Sequence, residues 1–535
     1  MTLKEKFEQK KYDEIWQQYC GFLDLDLPSF MDMQHRLMLE QLDLYGNCEL
    51  GRHIMKGQKP ETVEAFRSMV PLTRYDDYAD ILLAKEEDKL PAKPMLWIET
   101  TWEGGKNPIK IAPYTERMVN CHRDSSISIL LLATSKQKEQ FALRGDENFL
   151  YGMAPLPYLT GMVPHLVAEE LPVTFLPSIE EAESMSFSER NKKGFDLGQQ
   201  QGIDLFFGLS SIVVKIGDSF TERDNQKKES KNLFKNSVQM NYRMAKAWVK
   251  SKEEKRPILP KDIWELKGLV CAGTDSHALK SQIEHYWGIK PLEIFAGTEP
   301  TCVATESWEK NGLVFFPDVG LYEFIPKDEF EKNLVDSSYV PRTYLIDEIQ
   351  PGFDYELVVS NFKGGAFARY RTGDIFRCTM LSNEEAGIQL PHFVFVDREP
   401  GYIDIAGFTR ISKRTIEEAI GLSKIELSNW FAIKEFNINK RAFLHMYVEV
   451  EQDGTHVGNS ELIKEHIATY FRYIDKDFGN IKRFLGVDPM EVTVLPSGTI
   501  EQFTKKTGKE VRKINPSHFD VVEIKKIARG GSEVK

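Results

Sequence analysis

Four short segments of this 535-residue chain combine residue types that can bind a nucleotide. The first runs from Thr100 to Lys110 and reads TTWEGGKNPIK. Its glycines let backbone N–H groups approach a polyphosphate, and its lysines offset the phosphate charge. The segment therefore predicts a phosphate-binding loop. The alternative is a surface hairpin with a Gly-Gly turn.

The second segment, FAGTEP at 295–300, places the Thr298 hydroxyl beside the Glu299 carboxylate. It follows a strand-like apolar run, Leu292 to Ile294, and open α/β sheets bind ligands beyond the carboxyl ends of their strands. The pair is therefore predicted to hold a phosphate and its Mg²⁺. The alternative is the start of a helix that Thr298 caps.

The third segment, YRTGD at 370–374, follows the flexible run Lys363-Gly364-Gly365. Asp374 can accept two hydrogen bonds from a ribose diol, and Arg371 can stabilise this carboxylate or contact phosphate. The alternative is an ordinary Thr-Gly-Asp turn.

The fourth segment, TGKEVR at 507–512, carries Lys509 directly after a glycine. A lysine on a mobile loop can stabilise the charge that develops on an acyl phosphate. The alternative is a solvated lysine in a charged tail, and Lys505, Lys506 and Lys513 lie nearby in the sequence.

The elements that must position these segments change character along the chain. Apolar residues such as Phe7, Ile15 and Trp16 recur at helical spacing, as do those of 33–44, which predicts a helical preface over the first 90 residues. From about Leu96 onward, short β-branched runs alternate with amphipathic stretches, which predicts α/β layers. The strand predictions are Leu269 to Ala272, Leu292 to Phe295, Leu313 to Phe316 and Tyr355 to Val359.

A second domain is predicted after residue 398. The turn Glu399-Pro400-Gly401 leads to a strand-like run, Leu444 to Val450, and then to a helix-like run, Glu461 to Phe471. We therefore expect a large domain over 1–398 and a small α+β domain over 399–535.

Composition excludes several classes of protein. The formal net charge is -12, and the sequence contains no basic patch that could bind nucleic acid, so nucleic acid is not an expected partner. The six cysteines are scattered, which predicts reduced thiols. The longest apolar run, Ile127 to Ala133, is too short to span a bilayer, and Met1 to Tyr19 lacks the apolar core of a secretory signal. A cytoplasmic protein without a membrane span is predicted.

The order of the four segments resembles that of the acyl-adenylate-forming superfamily, which includes acyl-CoA synthetases, luciferases and nonribosomal adenylation domains. Arg398 and the segment GFTRI at 407–411 fit the same order. Within the superfamily the chain resembles the plant auxin-responsive acyl acid amido synthetases and their bacterial relatives, at 70–78, 317–324 and 495–499. The lysine motif at 507–512 is instead closer to that of phenylacetate-CoA ligases.

The resemblance implies an α/β fold with a large multi-layered adenylate-forming domain and a small mobile α+β domain that rotates about the segment near Arg398. It implies catalytic roles for Lys509, Thr298 and Glu299, with Glu299 also the metal ligand. The ATP-binding residues that it implies are Thr100, Thr101, Gly104, Gly105, Lys106, Gly273, Phe295, Asp374 and Arg398. Of these, Phe295 is expected to stack on adenine, with Ala272-Gly273-Thr274 below it.

The function that the resemblance implies is ATP-dependent adenylation of a carboxylic acid, with Mg²⁺, followed by transfer of the acyl group to an amine or amino acid. Transfer to CoA as co-substrate, giving a thioester, is the alternative. Segments 154–161 and 202–209 are implied to line the acid pocket, and their apolar side chains favour a hydrophobic or aromatic acid. Ordinary core packing is the alternative for both.

A reading of another class is a non-catalytic protein that binds a nucleotide or an acyl ligand. Trp102 and Glu103 motivate it, because they occupy a stretch of the phosphate loop that the family usually fills with hydroxyl residues and glycine. A tryptophan does not readily adopt a left-handed backbone, and a carboxylate repels triphosphate.

Overall fold

The computed structural model of the chain describes residues 3–100, 109–225, 238–398, 401–407, 409–450, 460–486 and 488–530. They form two compact units, one built from residues of 1–100 and 110–397 and the other chiefly from residues of 398–535. Separate hydrophobic clusters lie in each unit. No helix in the described ranges is long and apolar enough to cross a membrane.

The first unit begins with a run of helices, as predicted. They are α1 (Leu3–Glu8), α2 (Tyr12–Tyr19), α3 (Leu27–Gly46), α4 (Glu49–Ile54), α5 (Val63–Met69) and α6 (Ala79–Leu83). The longest, α3, is capped by Asp26, whose side chain accepts a hydrogen bond from the Ser29 amide.

Buried side chains of α3 fasten this helical preface to the rest of the first unit. Gln41 donates to the Gly365 carbonyl over 3.0 Å, and the Tyr45 hydroxyl donates to the Phe367 carbonyl over 2.8 Å. The helix therefore holds the chain just before Tyr370, where a predicted site segment begins.

The strands of the first unit include all four runs predicted from the sequence. They are β1 (Leu96–Glu99), β2 (Ile111–Tyr114), β3 (Asn148–Gly152), β4 (Thr174–Leu176), β5 (Leu205–Leu209), β6 (Gly268–Ala272), β7 (Leu292–Gly297), β8 (Thr301–Glu306), β9 (Leu313–Phe315), β10 (Gly320–Pro326), β11 (Tyr344–Leu345), β12 (Asp354–Asn361), β13 (Tyr370–Met380) and β14 (His392–Arg398).

Helices α7 to α15 alternate with these strands. They are α7 (Glu116–Thr134), α8 (Val163–Glu170), α9 (Ile179–Glu183), α10 (Phe187–Gln201), α11 (Ser210–Asn225), α12 (Val238–Glu254), α13 (Pro260–Ile263), α14 (Ser276–Trp287) and α15 (Lys327–Val335). The apolar run 127–133 lies within α7 and is buried.

Twelve strands of the described chain form one sheet, in the order β11-β10-β12-β13-β14-β9-β8-β7-β6-β5-β3-β4. The section from β4 to β7 is parallel, and antiparallel pairing begins between β7 and β8. Strands β1 and β2 form a separate antiparallel hairpin. The prediction of an α/β fold is confirmed.

The second unit has its own mixed sheet. Its elements are β15 (Tyr402–Ile405), β16 (Thr409–Ser412), α16 (Lys413–Ser423), β17 (Leu427–Phe436), β18 (Ala442–Val450), α17 (Ser460–Ile474), α18 (Lys476–Leu485), β19 (Met490–Val494), α19 (Thr499–Thr507) and α20 (His518–Gly530). Strand β18 pairs antiparallel with β17 and parallel with β19. The predicted strand and helix both lie here, in β18 and α17.

All six cysteines lie within the described residues and are free thiols, as predicted. Five of them are buried, so their burial raises the pKa of thiols such as Cys271 and Cys302 to about 12.

Candidate active site

A buried ion pair in the first unit joins two of the predicted site segments. The Lys110 Nζ lies 2.9 Å from Glu299 Oε1, and the Tyr370 hydroxyl donates to the same oxygen over 2.6 Å. Lys110 Nζ also lies 3.4 Å from the Tyr370 hydroxyl oxygen. These three side chains form the Lys110–Glu299–Tyr370 cluster.

The cluster keeps the Glu299 carboxyl ionised. Burial would raise its pKa, but the Lys110 charge and the hydrogen bond from Tyr370 outweigh burial, so the pKa lies below the ordinary value of 4.5. Burial and the Glu299 charge raise the pKa of Tyr370 well above its usual value. At neutral pH the carboxylate is therefore negative, and the phenol stays protonated and donates to it.

A three-residue loop presents Glu299. Strands β7 and β8 pair antiparallel, with Gly297 opposite Thr301, so residues 298–300 form a hairpin loop. Thr301 ends the loop with φ of 69°, a left-handed value that is common after such loops but costly for a β-branched residue. The alternative that Thr298 caps a helix is wrong, because a strand follows.

Hydrogen bonds from three directions hold this loop. The Tyr114 hydroxyl donates to the Thr298 carbonyl over 2.8 Å, and the Asn361 amide donates to the Glu299 carbonyl over 3.2 Å. The Thr298 hydroxyl lies 3.4 Å from the Glu99 carbonyl oxygen. The positions of Thr298 and Glu299 are therefore set by the β1–β2 hairpin and by β12.

Asp374 lies on a bulge inside a strand, so the alternative of an ordinary Thr-Gly-Asp turn is wrong. In the β12–β13 ladder, Val358 faces Arg371 and Glu356 faces Ile375, so one residue of β12 opposes three of β13. A bulge of this kind redirects side chains without ending the strand.

Thr372 closes the bulge. Its hydroxyl donates to the Leu357 carbonyl over 3.0 Å and accepts from the Asp374 amide over 3.1 Å. Gly373 supplies φ of 73° between them, a conformation that glycine adopts without strain. The sequence Thr-Gly-Asp thus sets the orientation of the Asp374 side chain, which is 4% exposed.

Arg371 belongs to the scaffold. Its guanidinium binds the Glu356 carboxylate through two hydrogen bonds of 2.9 and 2.6 Å and the Asn333 side chain over 2.7 Å. Arg369 forms a similar fork with Glu323. The expectation that Arg371 stabilises Asp374 or contacts phosphate is corrected, because its donors are engaged in holding β13 to neighbouring elements.

The residues expected to hold adenine belong to two neighbouring parallel strands: Phe295 lies on β7, and Gly273 directly follows β6. The Phe295 ring meets Phe376 edge-on at 4.7 Å between centroids and stacks on Phe395 at 5.8 Å. Gly273 follows β6 with φ of 122°, and the Ser276 hydroxyl donates to its carbonyl over 2.7 Å. Contact of either residue with adenine stays a prediction.

The predicted phosphate loop connects the two strands of the β1–β2 hairpin. The Thr100 amide donates to the Lys110 carbonyl over 2.9 Å, and the Lys110 amide donates to the Thr100 hydroxyl over 3.0 Å. The strands that flank the loop, β1 and β2, therefore form a hairpin, as the alternative interpretation predicted. Thr101, Trp102, Glu103, Gly104, Gly105 and Lys106 lie outside the described residues.

Sequence reasoning missed the roles of Lys110 and Tyr370. Both stand in the predicted segments, at the end of 100–110 and at the start of 370–374. The three motifs at 100–110, 295–300 and 370–374 were predicted to bind the same nucleotide. That shared ligand was a signal that Lys110 and Tyr370 could contact the Glu299 carboxylate. Lys110 Nζ also lies 5.7 Å from the centre of the Tyr75 ring, in the segment 70–78 that carried the family resemblance.

Lys509 lies in the second unit, directly after α19. Gly508 ends that helix with φ of 69°, and the Lys509 side chain is exposed. The neighbouring lysines each lie 2.5 Å from a partner: Lys505 from Glu501, Lys506 from Glu523 and Lys513 from Asn429. No partner for the Lys509 side chain is found in the part of the chain that the structure describes.

Arg398 ends β14 and is linked to the predicted turn that follows it. Its Nε lies 3.6 Å from Asp404 Oδ2, while Asp404 Oδ1 accepts from the Gly407 amide over 2.9 Å. Arg410 Nε lies 3.7 Å from Asp404, and burial lowers the pKa of this guanidinium to about 9. A contact of Arg398 with ribose stays a prediction.

Segment 154–161, one of the two implied for the acid pocket, borders a cavity. A cavity of about 160 Å³ lies beyond the ends of β3 and β4, and Ala154, Leu156 and Gly161 are among its lining residues. Segment 202–209 instead contributes β5, whose Phe206 and Phe207 are buried in the core. Core packing, the alternative reading, fits these two side chains, and a role of segment 202–209 in the acid pocket stays a prediction.

No preformed metal cage lies among the described residues, because no group of three or more His, Cys, Asp or Glu side chains there could hold a metal ion. Glu299 is one ionised carboxylate. Mg²⁺ commonly binds proteins through one or two carboxylates and completes its coordination with water and substrate phosphates. The site therefore fits Mg²⁺ that arrives with a nucleotide.

Comparisons with known proteins concern the fold of the chain and its central strands. Residues 313–398, which include β9 to β14, match the family model described as the GH3 family central domain. The chain is similar in fold to the acyl acid amido synthetase AtGH3.15 in complex with 2,4-DB, with 14% sequence identity, a TM-score of 0.51 and 93% of each chain covered.

A second similar structure is 2-hydroxyisobutyryl-CoA ligase in complex with 2-HIB-AMP and CoA, with 15% identity, a TM-score of 0.55 and 86% of each chain covered. No curated protein sequence matches the chain. The resemblance inferred from the sequence is confirmed: the chain has the fold of the acyl-adenylate-forming ligases and carries a GH3-type central segment.

Proposed function

We propose that this protein is an ATP-dependent ligase that adenylates a carboxylic acid and then transfers the acyl group to an amine or amino acid. The observation that carries the proposal is the Lys110–Glu299–Tyr370 cluster, which fixes an ionised carboxylate beside the Thr298 hydroxyl in an adenylate-forming fold. Asp374 stands on a strand whose bulge sets its direction.

The residues of the candidate site bind and orient the nucleotide. Thr298 donates to an α-phosphate oxygen, and Asp374 accepts from the ribose hydroxyls. Thr100, Thr101, Gly104, Gly105 and Lys106 surround the β- and γ-phosphates, and Phe295, Gly273 and Arg398 complete the nucleotide site. Glu299 would hold Mg²⁺, which would supply neutralisation of phosphate charge.

The chemistry proceeds in two steps. A carboxylate oxygen of the acid attacks the α-phosphorus of ATP, and pyrophosphate leaves. The nitrogen of the acceptor then attacks the acyl carbon, and AMP leaves. The division is needed because a carboxylate oxygen is a poor leaving group, whereas AMP is a good one. Lys509 stabilises the charge that develops in the first step.

The acceptor is proposed to be an amine because the GH3-type match covers the central strands of the chain. CoA is the second candidate, since a CoA ligase is similar in fold over 86% of the chain. The acid is proposed to be hydrophobic or aromatic. Cytoplasmic location and the lack of a nucleic-acid partner stay predictions from composition.

ATP–pyrophosphate exchange tests the first step. Purified protein with Mg²⁺ is assayed over aryl, fatty and short-chain acids, and wild type is compared with Asp374→Ala and with Glu384→Ala, which changes an exposed carboxylate elsewhere. We expect exchange that depends on one class of acid, is lost in Asp374→Ala and is retained in Glu384→Ala. ATP binding without exchange for any acid would favour the non-catalytic reading.

Product analysis tests the second step. The acid that supports exchange is incubated with ATP and either CoA or a panel of amino acids, and the products are identified by mass spectrometry. An amide product is expected. A thioester without any amide would transfer the assignment to the CoA-ligase alternative and leave the adenylation step intact.

A further inference from the structure

The cavity beyond β3 and β4 has mainly apolar walls. Tyr151, Leu156, Phe175 and Ile179 contribute aromatic and aliphatic surface, and the volume is about 160 Å³. Apolar cavities of about 150 Å³ accept a benzene molecule. The space therefore suits one aromatic ring or a short aliphatic chain.

Three lining residues carry charged or titratable groups. His165 and Glu183 lie 3.5 Å apart with side chains 41% and 62% exposed, so water solvates both, whereas the third residue is buried. That residue is Arg190, on α10, which is only 4% exposed. One of its terminal nitrogens donates to the Met153 carbonyl, and its Nε is buried without a hydrogen-bond partner. Among the described residues, no carboxylate lies within ion-pair distance of this guanidinium.

This arrangement differs from those of other buried arginines in the same unit. Arg369 and Arg371 are buried to a similar degree, and each forms two hydrogen bonds with a glutamate. A buried charge is costly unless it is paired. Burial accordingly lowers the pKa of Arg190, and an anion that reached it would recover much of the lost interaction.

We propose that this cavity binds a small organic carboxylate, with the carboxylate on Arg190 and the apolar body against Tyr151, Phe175 and Leu156. Arginine suits this role because its planar fork matches a carboxylate. The apolar walls select against small inorganic anions, which would leave them unfilled.

The loop that follows β3 links the cavity to the candidate active site. Its Met153 carbonyl accepts from Arg190, and its Pro157 carbonyl accepts from the Glu99 amide over 2.9 Å. Glu99 in turn lies against Thr298 through its own carbonyl. A carboxylate on Arg190 therefore contacts the same loop that supports the β1–β2 hairpin.

Calorimetric titration tests the binding without ATP, so the result does not depend on the proposed function. Benzoate, phenylacetate and hexanoate are compared with the neutral amides benzamide, phenylacetamide and hexanamide. We expect at least one carboxylate to bind at least tenfold more tightly than its amide. Equal affinities of every acid and its amide, or no binding by any carboxylate, would overturn the proposal.

Two variants locate the site. Arg190→Gln removes the charge, and Ala182→Phe fills the cavity from its wall while keeping Arg190. Each is expected to weaken carboxylate binding at least tenfold, whereas Arg36→Gln, at an exposed ion pair, should leave it unchanged. If Arg190→Gln fails to fold, Ala182→Phe decides alone. Undiminished binding in Ala182→Phe contradicts the site.

Pyrophosphate exchange then shows whether the carboxylate that binds in this cavity is the substrate acid or a separate ligand. An acid that binds here as substrate supports exchange by itself, and Arg190→Gln raises its KM. A separate ligand binds without supporting exchange and changes the exchange rate of another acid only when Arg190 is present. Either result supports the cavity as a carboxylate site, and the titration still decides if exchange is absent altogether.

Discussion

At the residue scale, the candidate site depends on one buried carboxylate. The side chains of Lys110 and Glu299 are 20% and 9% exposed, and Tyr370 is almost fully buried. Charges this deep interact strongly, but each also loses most of its hydration. Removing either charge of the Lys110–Glu299–Tyr370 cluster therefore leaves the other charge without its partner, which destabilises the folded protein.

Loss of Lys110 should destabilise the protein substantially. In Lys110→Met the Glu299 carboxylate stays buried without its cation, and breaking a buried pair in this way costs about 3 kcal/mol or more. Chemical denaturation of the purified variant measures the change in unfolding free energy. Lys11→Met removes one member of an exposed pair with Glu14 and should cost less than about 1 kcal/mol. Equal costs for the two variants would contradict the burial argument.

The same cluster predicts a direction of pH dependence. Because the folded-state pKa of Glu299 lies below 4.5, its ionised form contributes stability that is fully present above the ordinary pKa. This contribution is lost as the pH falls through the lower folded-state pKa. The difference in unfolding free energy between wild type and Glu299→Gln should be constant from pH 7 to about pH 5 and should shrink below pH 4.5. A difference that grows on acidification would refute the assignment.

At the element scale, strands and their irregularities place the functional side chains. The β7–β8 hairpin loop carries Thr298 and Glu299, and the bulge in β13 carries Asp374. The sequence predicted β7 and β12, since short apolar runs rich in β-branched residues give a strong local signal, but it predicted neither β8 nor β13. It did not predict the bulge, because a bulge depends on the partner strand and a glycine after threonine is equally typical of a turn.

The bulge can be tested at its glycine. Gly373→Ala puts a side chain at φ of 73°, which costs about 1–2 kcal/mol, and it turns Asp374 away from its present direction. We expect lower stability together with reduced acid-dependent pyrophosphate exchange.

Gly421→Ala provides the matched control for this substitution. Gly421 lies in α16 with nothing within 4 Å of an added methyl group, so the change should raise stability by about 0.5–1 kcal/mol and leave exchange unchanged. If Gly373→Ala behaved like Gly421→Ala, the bulge would have no role in setting Asp374.

At the scale of the whole molecule, the chain divides the proposed roles between two units with separate cores. The order of motifs was readable in the sequence, and so were the helical preface and the α/β class. The contact between Lys110 and Glu299 was not, because 189 residues separate them and only the assembled sheet brings them together. A further limit was the assignment of one lysine among four near the end of the chain.

The structure gives a physical reason to choose among these lysines. Lys505 and Lys506 are in ion pairs, and burial lowers the pKa of Lys513. The Lys509 side chain is exposed and without a partner in the described residues, so its charge is available for a substrate. Because it supports no packing, its removal should affect chemistry and leave folding intact.

Lys509→Ala should therefore separate the two proposed steps. Removing one well-placed positive charge beside a developing oxyanion lowers the rate by about 10²–10³-fold. Acid-dependent pyrophosphate exchange should therefore fall by that factor. Transfer from a chemically prepared acyl-adenylate to the acceptor should be nearly unchanged, because Lys509 is proposed to act in the first step, and in the second step AMP leaves and no pyrophosphate does. Lys505→Ala, which removes only an exposed pair with Glu501, should leave both rates intact. Equal losses in exchange and in transfer would show that Lys509 acts in folding or in acceptor binding rather than in adenylation.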